Sequence, residues 1–153
     1  MIFSHDQVMR IRCKIVVDPD IHSKDFADLV MIYLNDPNGW SQYGYNFVKV
    51  ASKEDVTIHL STPQTIRKEC GDSTLSCAEL GGKMMFLNSK RWFEGAPKSK
   101  LDLTNYRQYM VSHEIGHILG HTHKKCKCKG CLAPIMMQQT KGIGMCLKNT
   151  AVQ

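Results

Sequence analysis

His113-Glu114-Ile115-Gly116-His117-Ile118-Leu119-Gly120-His121-Thr122-His123 is the stretch on which the reading of this chain turns. It satisfies H-E-x-x-H-x-x-G-x-x-H, a pattern that gathers three imidazoles and one carboxylate around a metal ion. In a helix, His113 and His117 stand one turn apart on the same face. Glu114 points about 100° away around the axis, too far to be an equal ligand but near enough to reach a metal-held water. Gly120 ends the helix, because glycine takes the left-handed backbone conformation without steric cost. His123 then lies far enough along the chain to swing back to the metal. Three protein ligands leave the fourth tetrahedral position open, the arrangement of a catalytic rather than a structural zinc. The expected zinc ligands are therefore His113, His117 and His123, with Glu114 as catalytic base. His121 is the rival third ligand and ranks second because it directly follows the glycine. His5, His22 and His59 lack this context and read as surface or strand histidines.

The same helix extends upstream. Asp102 and Thr104 are both N-cap candidates. Tyr106, Met110, His113 and His117 form one stripe, and Val111, Ile115, Ile118 and Leu119 form a second. A helix apolar around most of its surface is a buried helix. Gly116 in its interior costs ~1 kcal/mol relative to alanine and so reads as a close-packing contact with the segment that returns under the metal.

Downstream, Ala133-Pro134-Ile135-Met136-Met137-Gln138-Gln139-Thr140 forms a methionine-containing turn. A long zinc motif followed by such a turn resembles the metzincin clan of zinc endopeptidases. That resemblance implies an apolar floor beneath the histidines, with Met136 in the role and Met137 as the alternative. A flexible thioether suits such a gap. The order Asp36-Pro37-Asn38-Gly39-Trp40, Cys70 and Cys77, Asn88-Ser89-Lys90-Arg91-Trp92, Tyr106-Arg107-Gln108-Tyr109, zinc motif, Met-Gln-Gln-Thr-Lys-Gly narrows the likeness. It is similar to a group of small metzincin-like proteins best represented among secreted actinobacterial proteins, over about residues 10–147. The resemblance implies two disulfides, Cys70–Cys77 and Cys126–Cys146. Cys128 and Cys131 depart from the group's pattern, as does the lack of a basic start and apolar stretch in Met1–Asp6.

Seven cysteines are many for a reduced compartment. Cys126, Cys128, Cys131 and Cys146 could instead hold a second, structural zinc, which ranks below disulfide bonding. Cys13 lies in a strand pattern and reads as a buried free thiol. Cysteine content and resemblance together imply a secreted or otherwise oxidising location.

The chain has 153 residues, 42% of them hydrophobic and 22% charged. That suits one globular domain, taken as 1–153, and the size allows a real core. No apolar run approaches the ~20 residues of a membrane span. The net charge is +6, with Lys124, Lys125, Lys127 and Lys129 in one loop beside the motif. A solvated loop is the plainer reading of that cluster. No aromatics are interleaved for stacking on bases, which argues against nucleic acid.

Periodicity predicts a strand around Arg10–Ile15, a helix over Lys24–Asn35, and strands at Tyr45–Val50, Val56–Leu60 and Lys83–Leu87. Cys70–Cys77 and Arg91–Leu101 read as loops. The fold class expected is mixed α/β (α+β), metzincin-like, with a twisted mixed sheet, two long helices on one face and an irregular methionine-turn region. Lys83–Leu87 is the expected sheet edge beside the cleft, to which an extended peptide could add as a further strand. The expected function is a zinc endopeptidase acting on a protein or peptide substrate, in a chain favoured to be monomeric. The alternatives are an inactive zinc-binding module of the same fold and a basic, cysteine-rich nucleic-acid binder.

Overall fold

Strand β1 (Met9–Val17) forms where charged and apolar residues alternate: Ile11 and Cys13 are buried while Arg10 and Arg12 stay exposed. The computed structural model describes residues 8–153, so His5 lies outside the described residues. Two strands flank β1 in parallel, β2 (Tyr45–Lys49) and β3 (Val56–Ser61). Strand β5 (Met84–Asn88) runs parallel to β3, and the two-residue β4 (Cys77–Ala78) closes the sheet antiparallel to β5. The order is β2-β1-β3-β5-β4.

Parallel neighbours require crossover connections. The one between β1 and β2 contains helix α1 (Phe26–Leu34), which buries Phe26, Val30, Tyr33 and Leu34. The long helix α4 (Leu103–Ile118) contacts both α1 and β5. Val56, Ile58 and Leu60 of β3 join Phe26, Trp92 and Ile115 in one buried cluster. Phe26 meets Trp92 edge to face at 4.7 Å between ring centroids, a favoured aromatic geometry. The fold is the expected mixed α/β arrangement, with a five-stranded mixed sheet and an irregular segment after α4.

Three local expectations are corrected. The strand at Lys83–Leu87 exists as β5, but it lies inside the sheet; Cys77–Ala78 takes the edge. A two-residue strand has too few residues to show a period, so pattern alone hides it. Arg91–Leu101 is not mostly loop, because helix α3 (Ser89–Glu94) starts upstream of it under an Asn88 cap and a 3-10 turn follows at Pro97–Ser99. Finally, helix α2 (Pro63–Cys70) stands between the predicted strand Val56–Leu60 and the predicted loop Cys70–Cys77, where no element was expected. Its start carries recognisable signals: Thr62 accepts a hydrogen bond from the Thr65 amide, and proline suits the first helical position.

Candidate metal centre

α4 begins at Asp102, whose side chain accepts from the Asn105 amide at 2.8 Å. Of the two cap candidates, Asp102 does the capping. From Tyr106 to Gly116 the helix is buried except at Arg107, as expected of one apolar on most sides. It ends at Leu119, and Gly120 takes a φ of +98°. The Gly120 amide then bonds the His117 carbonyl and the His121 amide bonds the Gly116 carbonyl, both at 2.9 Å. This pair of bonds is the Schellman ending that a left-handed glycine permits. It turns the chain back over the helix end.

The turn brings His123 to the helical pair. The ligand atoms of His113, His117 and His123 all lie within 4.8 Å of one another, and no other set of this kind occurs among the described residues. The Nε2 atoms of His117 and His123 face each other at 3.1 Å. Backbone carbonyls orient two of the rings: His113 Nδ1 donates to Ile135 O and His117 Nδ1 donates to His121 O, each at 2.8 Å. A carbonyl can only accept, so both Nδ1 atoms carry hydrogen and both Nε2 atoms keep their lone pairs for a ligand. Burial lowers the pKa of all three imidazoles, that of His113 to about 3. They are therefore neutral near pH 7, the protonation state that binds a metal. The donor set fits a zinc ion with an open position. His121, the rival ligand, turns its ring away and stacks on Trp40 at 4.4 Å.

Glu114 is 5% exposed and opens onto the same cleft as the three histidines. Burial alone pushes its carboxyl up to about 8. A cation bound nearby would favour the ionised form and pull that value down.

Met136 lies against the helix at Gly116. A Cβ there would come within 2.5 Å of Met136 Sδ and 3.0 Å of Trp40 Cζ2. The expected close approach at Gly116 is therefore made by these two side chains. The Trp40 indole also donates to Ser112 O at 2.8 Å, which fixes it against α4.

Sequence reasoning gave no role to the network behind this turn. The buried Tyr109 hydroxyl donates to Met137 O at 2.8 Å and accepts from the Gln139 amide at 2.9 Å. Gln139, fully buried, donates to Asn149 O, and Asn149 donates to Ala133 O. Both ends of the methionine turn are thus tied down by buried polar side chains. Tyr106, two turns before His113, lay on a predicted stripe, but Tyr109, one turn before His113, lay on neither.

The cleft has a volume of about 390 Å³. Its walls include the Cys70–Cys77 disulfide, Ala78 of the edge strand, Tyr106 and Thr140. Asn88 donates to Ser73 O and Leu75 O and so holds the loop inside that disulfide. Cys126 is bonded to Cys146, and a third disulfide joins Cys128 to Cys131. Those four cysteines are all spent in disulfides, so in this structure they offer no thiolates to a structural zinc. Cys13 is the free, buried cysteine, and burial pushes its thiol up to about 12.

A protein family described as "Protein of unknown function (DUF3152)" matches residues 7–150. No curated protein matches the sequence. Among solved structures, the chain is similar to archaemetzincin from Methanopyrus kandleri, with a TM-score of 0.54 and 14% identity over 93% of this chain and 91% of that one. It is also similar to myroilysin, with a TM-score of 0.50 and 16% identity over 80% of this chain and 46% of that one. The chain thus spans about half the length of the myroilysin chain it matches. At these identities the likeness concerns the fold.

Proposed function

We propose that this chain, which belongs to the DUF3152 family, is a zinc-dependent endopeptidase. The observation that carries the reading is the convergence of three neutral imidazoles beside one buried carboxylate at the back of a cleft. The fold-level likeness to a protein named archaemetzincin supports it.

His113, His117 and His123 would hold the zinc. When bound there, the ion polarises a substrate carbonyl and makes water more acidic. Glu114 takes a proton from the attacking water and returns it to the departing amine. A carboxylate in this role contributes roughly 10²–10⁴-fold to rate. The carbonyls of Ile135 and His121 hold the His113 and His117 rings in the tautomer that the ligand set requires. Met136 fills the space beneath the helix. An extended substrate lies along the cleft and hydrogen-bonds to the exposed side of β4 at Cys77–Ala78. The disulfides suit an oxidising or secreted location. No helix among the described residues is long and apolar enough to cross a membrane.

The test is cleavage of an unfolded protein by zinc-loaded chain. Turnover should vanish with a chelator and fall by about 10²–10⁴-fold in Glu114→Gln, while bound zinc stays at wild-type stoichiometry. Turnover at the wild-type rate in Glu114→Gln would remove the base from its role. Zinc binding with no cleavage of any unfolded substrate would favour the non-catalytic module instead.

A further inference from the structure

Charge is not spread evenly along this chain. Residues 1–102 carry thirteen basic and thirteen acidic side chains. Residues 103–153 carry seven lysines and arginines against one acid, Glu114. The whole excess of +6 therefore sits in the last third, and the one acid there is buried at the candidate metal site. Arg107 is engaged inside the fold, over Trp92 and bonded to its carbonyl. Lys124, Lys125, Lys127, Lys129, Lys141 and Lys148 are all exposed. None pairs with an acid among the described residues, where the ion pairs are Arg12–Asp55 and Lys49–Asp28.

These lysines are placed as well as counted. Four follow His123 directly, in a loop whose first residues, Thr122 and His123, line the cleft. The loop is braced at both ends. The Lys124 amide bonds Met136 O at 3.0 Å, and the Cys126–Cys146 and Cys128–Cys131 disulfides clamp the rest. Lys141 follows Thr140, another cleft residue. A loop serving only solubility needs neither a single sign of charge nor covalent bracing. None of these lysines lines the cleft itself, and Lys124 lines a neighbouring pocket with Trp40 and His121; charge of one sign on a loop that leaves a concave site still draws a ligand of the opposite sign towards it. Loop residues 122–131 contain no Phe, Tyr or Trp on which a base could stack, and their one imidazole, His123, faces the other two histidines, so a peptide fits better than single-stranded nucleic acid.

We infer that the cleft selects acidic peptide segments, with the glutamate- or aspartate-rich part lying over the lysine loop that follows His123. This deepens the peptidase reading and rests on it.

The experiment uses two synthetic peptides of one apolar core segment, one flanked by a glutamate block and the other by matched glutamines. Binding is read by fluorescence anisotropy with zinc-loaded Glu114→Gln chain, so that neither peptide is consumed. The glutamate peptide should bind at least about tenfold tighter at low salt, and high salt should erase the difference. The combined variant Lys125→Glu, Lys127→Glu, Lys129→Glu should lose the preference. The glutamine replacements at the same positions should give an intermediate result and guard against misfolding. Equal binding of the two peptides overturns the inference, as does a preference that survives charge reversal. A single-stranded oligonucleotide that displaces the glutamate peptide at lower concentration than unlabelled peptide overturns it in favour of nucleic acid. A parallel cleavage assay with zinc-loaded wild type separates the two readings. Tight binding of the glutamate peptide without cleavage sinks the peptidase and keeps the acidic ligand. Equal cleavage and equal binding of both peptides does the reverse.

Discussion

At the scale of single residues, the choice between His121 and His123 decides the centre. The two are separated by one residue, and both follow the helix-ending glycine. In the folded chain they do different work: the His123 ring joins His113 and His117, whereas the His121 ring stacks on Trp40 and only its carbonyl touches His117. His123→Ala should therefore cost most of the zinc affinity, measured by competition with a chromogenic chelator. His121→Ala leaves the carbonyl in place and should change affinity by less than about tenfold, the lower end of the effect of losing a ring-orienting partner. The reverse order would reassign the third ligand. The spacing was enough to rank these two, because a left-handed residue after a helix returns the chain by a local rule. The partner of His121 was not legible, since Trp40 lies 81 residues away along the chain.

At the scale of elements, the methionine turn and α4 behave as one unit. Tyr109 is the link: it satisfies Met137 O and the Gln139 amide, while the adjoining Ile135 O receives His113 Nδ1. Removing the hydroxyl takes one partner from each group, while the Gln139 amide keeps its bond to Met137 O at 2.8 Å, so the cost is that of ordinary hydrogen bonds, about 0.5–1.5 kcal/mol each. Tyr109→Phe should lower thermal stability and also weaken zinc binding, by about tenfold or more if the His113 ring loses its orientation. Tyr106→Phe is the control, because its hydroxyl pairs with the Thr140 hydroxyl at 2.7 Å, at the far end of that turn, and not with backbone next to Ile135. A visible absorption spectrum of the cobalt-substituted chain that shifts in Tyr109→Phe but not in Tyr106→Phe identifies positioning. Two identical spectra, with equal affinities, would reduce Tyr109 to a stabilising contact. Other elements divide in the same way. The strands at β1 and β3 were legible from alternation, those at β2 and β5 as short apolar runs, and α4 from its caps and stripes. α2 was missed although Thr62 and Pro63 announce it, and β4 left no periodic trace.

At the scale of the whole molecule, one ion pair couples β1 to the segment entering β3. Arg12 reaches Asp55 at 2.9 Å and also donates to it from its backbone amide. The Arg12 hydrogen bonds hold the Asp55 carboxyl down to about 2. An ordinary aspartate sits near ~3.9. Because the folded value is the lower one, the support is present above about pH 4 and is lost as pH falls towards 2. Both side chains are more than a third exposed, so the contribution is small and screened by salt. The stability difference between wild type and Asp55→Asn, from denaturant titrations, should be constant above about pH 4 and close towards pH 2. A difference that widens on acidification would reverse the sign of the argument.

Sequence by itself determined the histidine motif, the helix that presents it, the return of the chain at Gly120 and the mixed α/β class. These follow from helix pitch, glycine's backbone freedom and the alternation of a half-buried strand, all of which act over a few neighbouring residues. Tertiary structure alone decided that β4 is the sheet edge, that Cys128 closes on Cys131, that Trp40 takes the His121 ring, and that Tyr109, Gln139 and Asn149 lock the methionine turn. Each of these last features depends on which side chains and strand edges meet in the folded chain. Residue spacing carries rules for local geometry, but it does not name those partners.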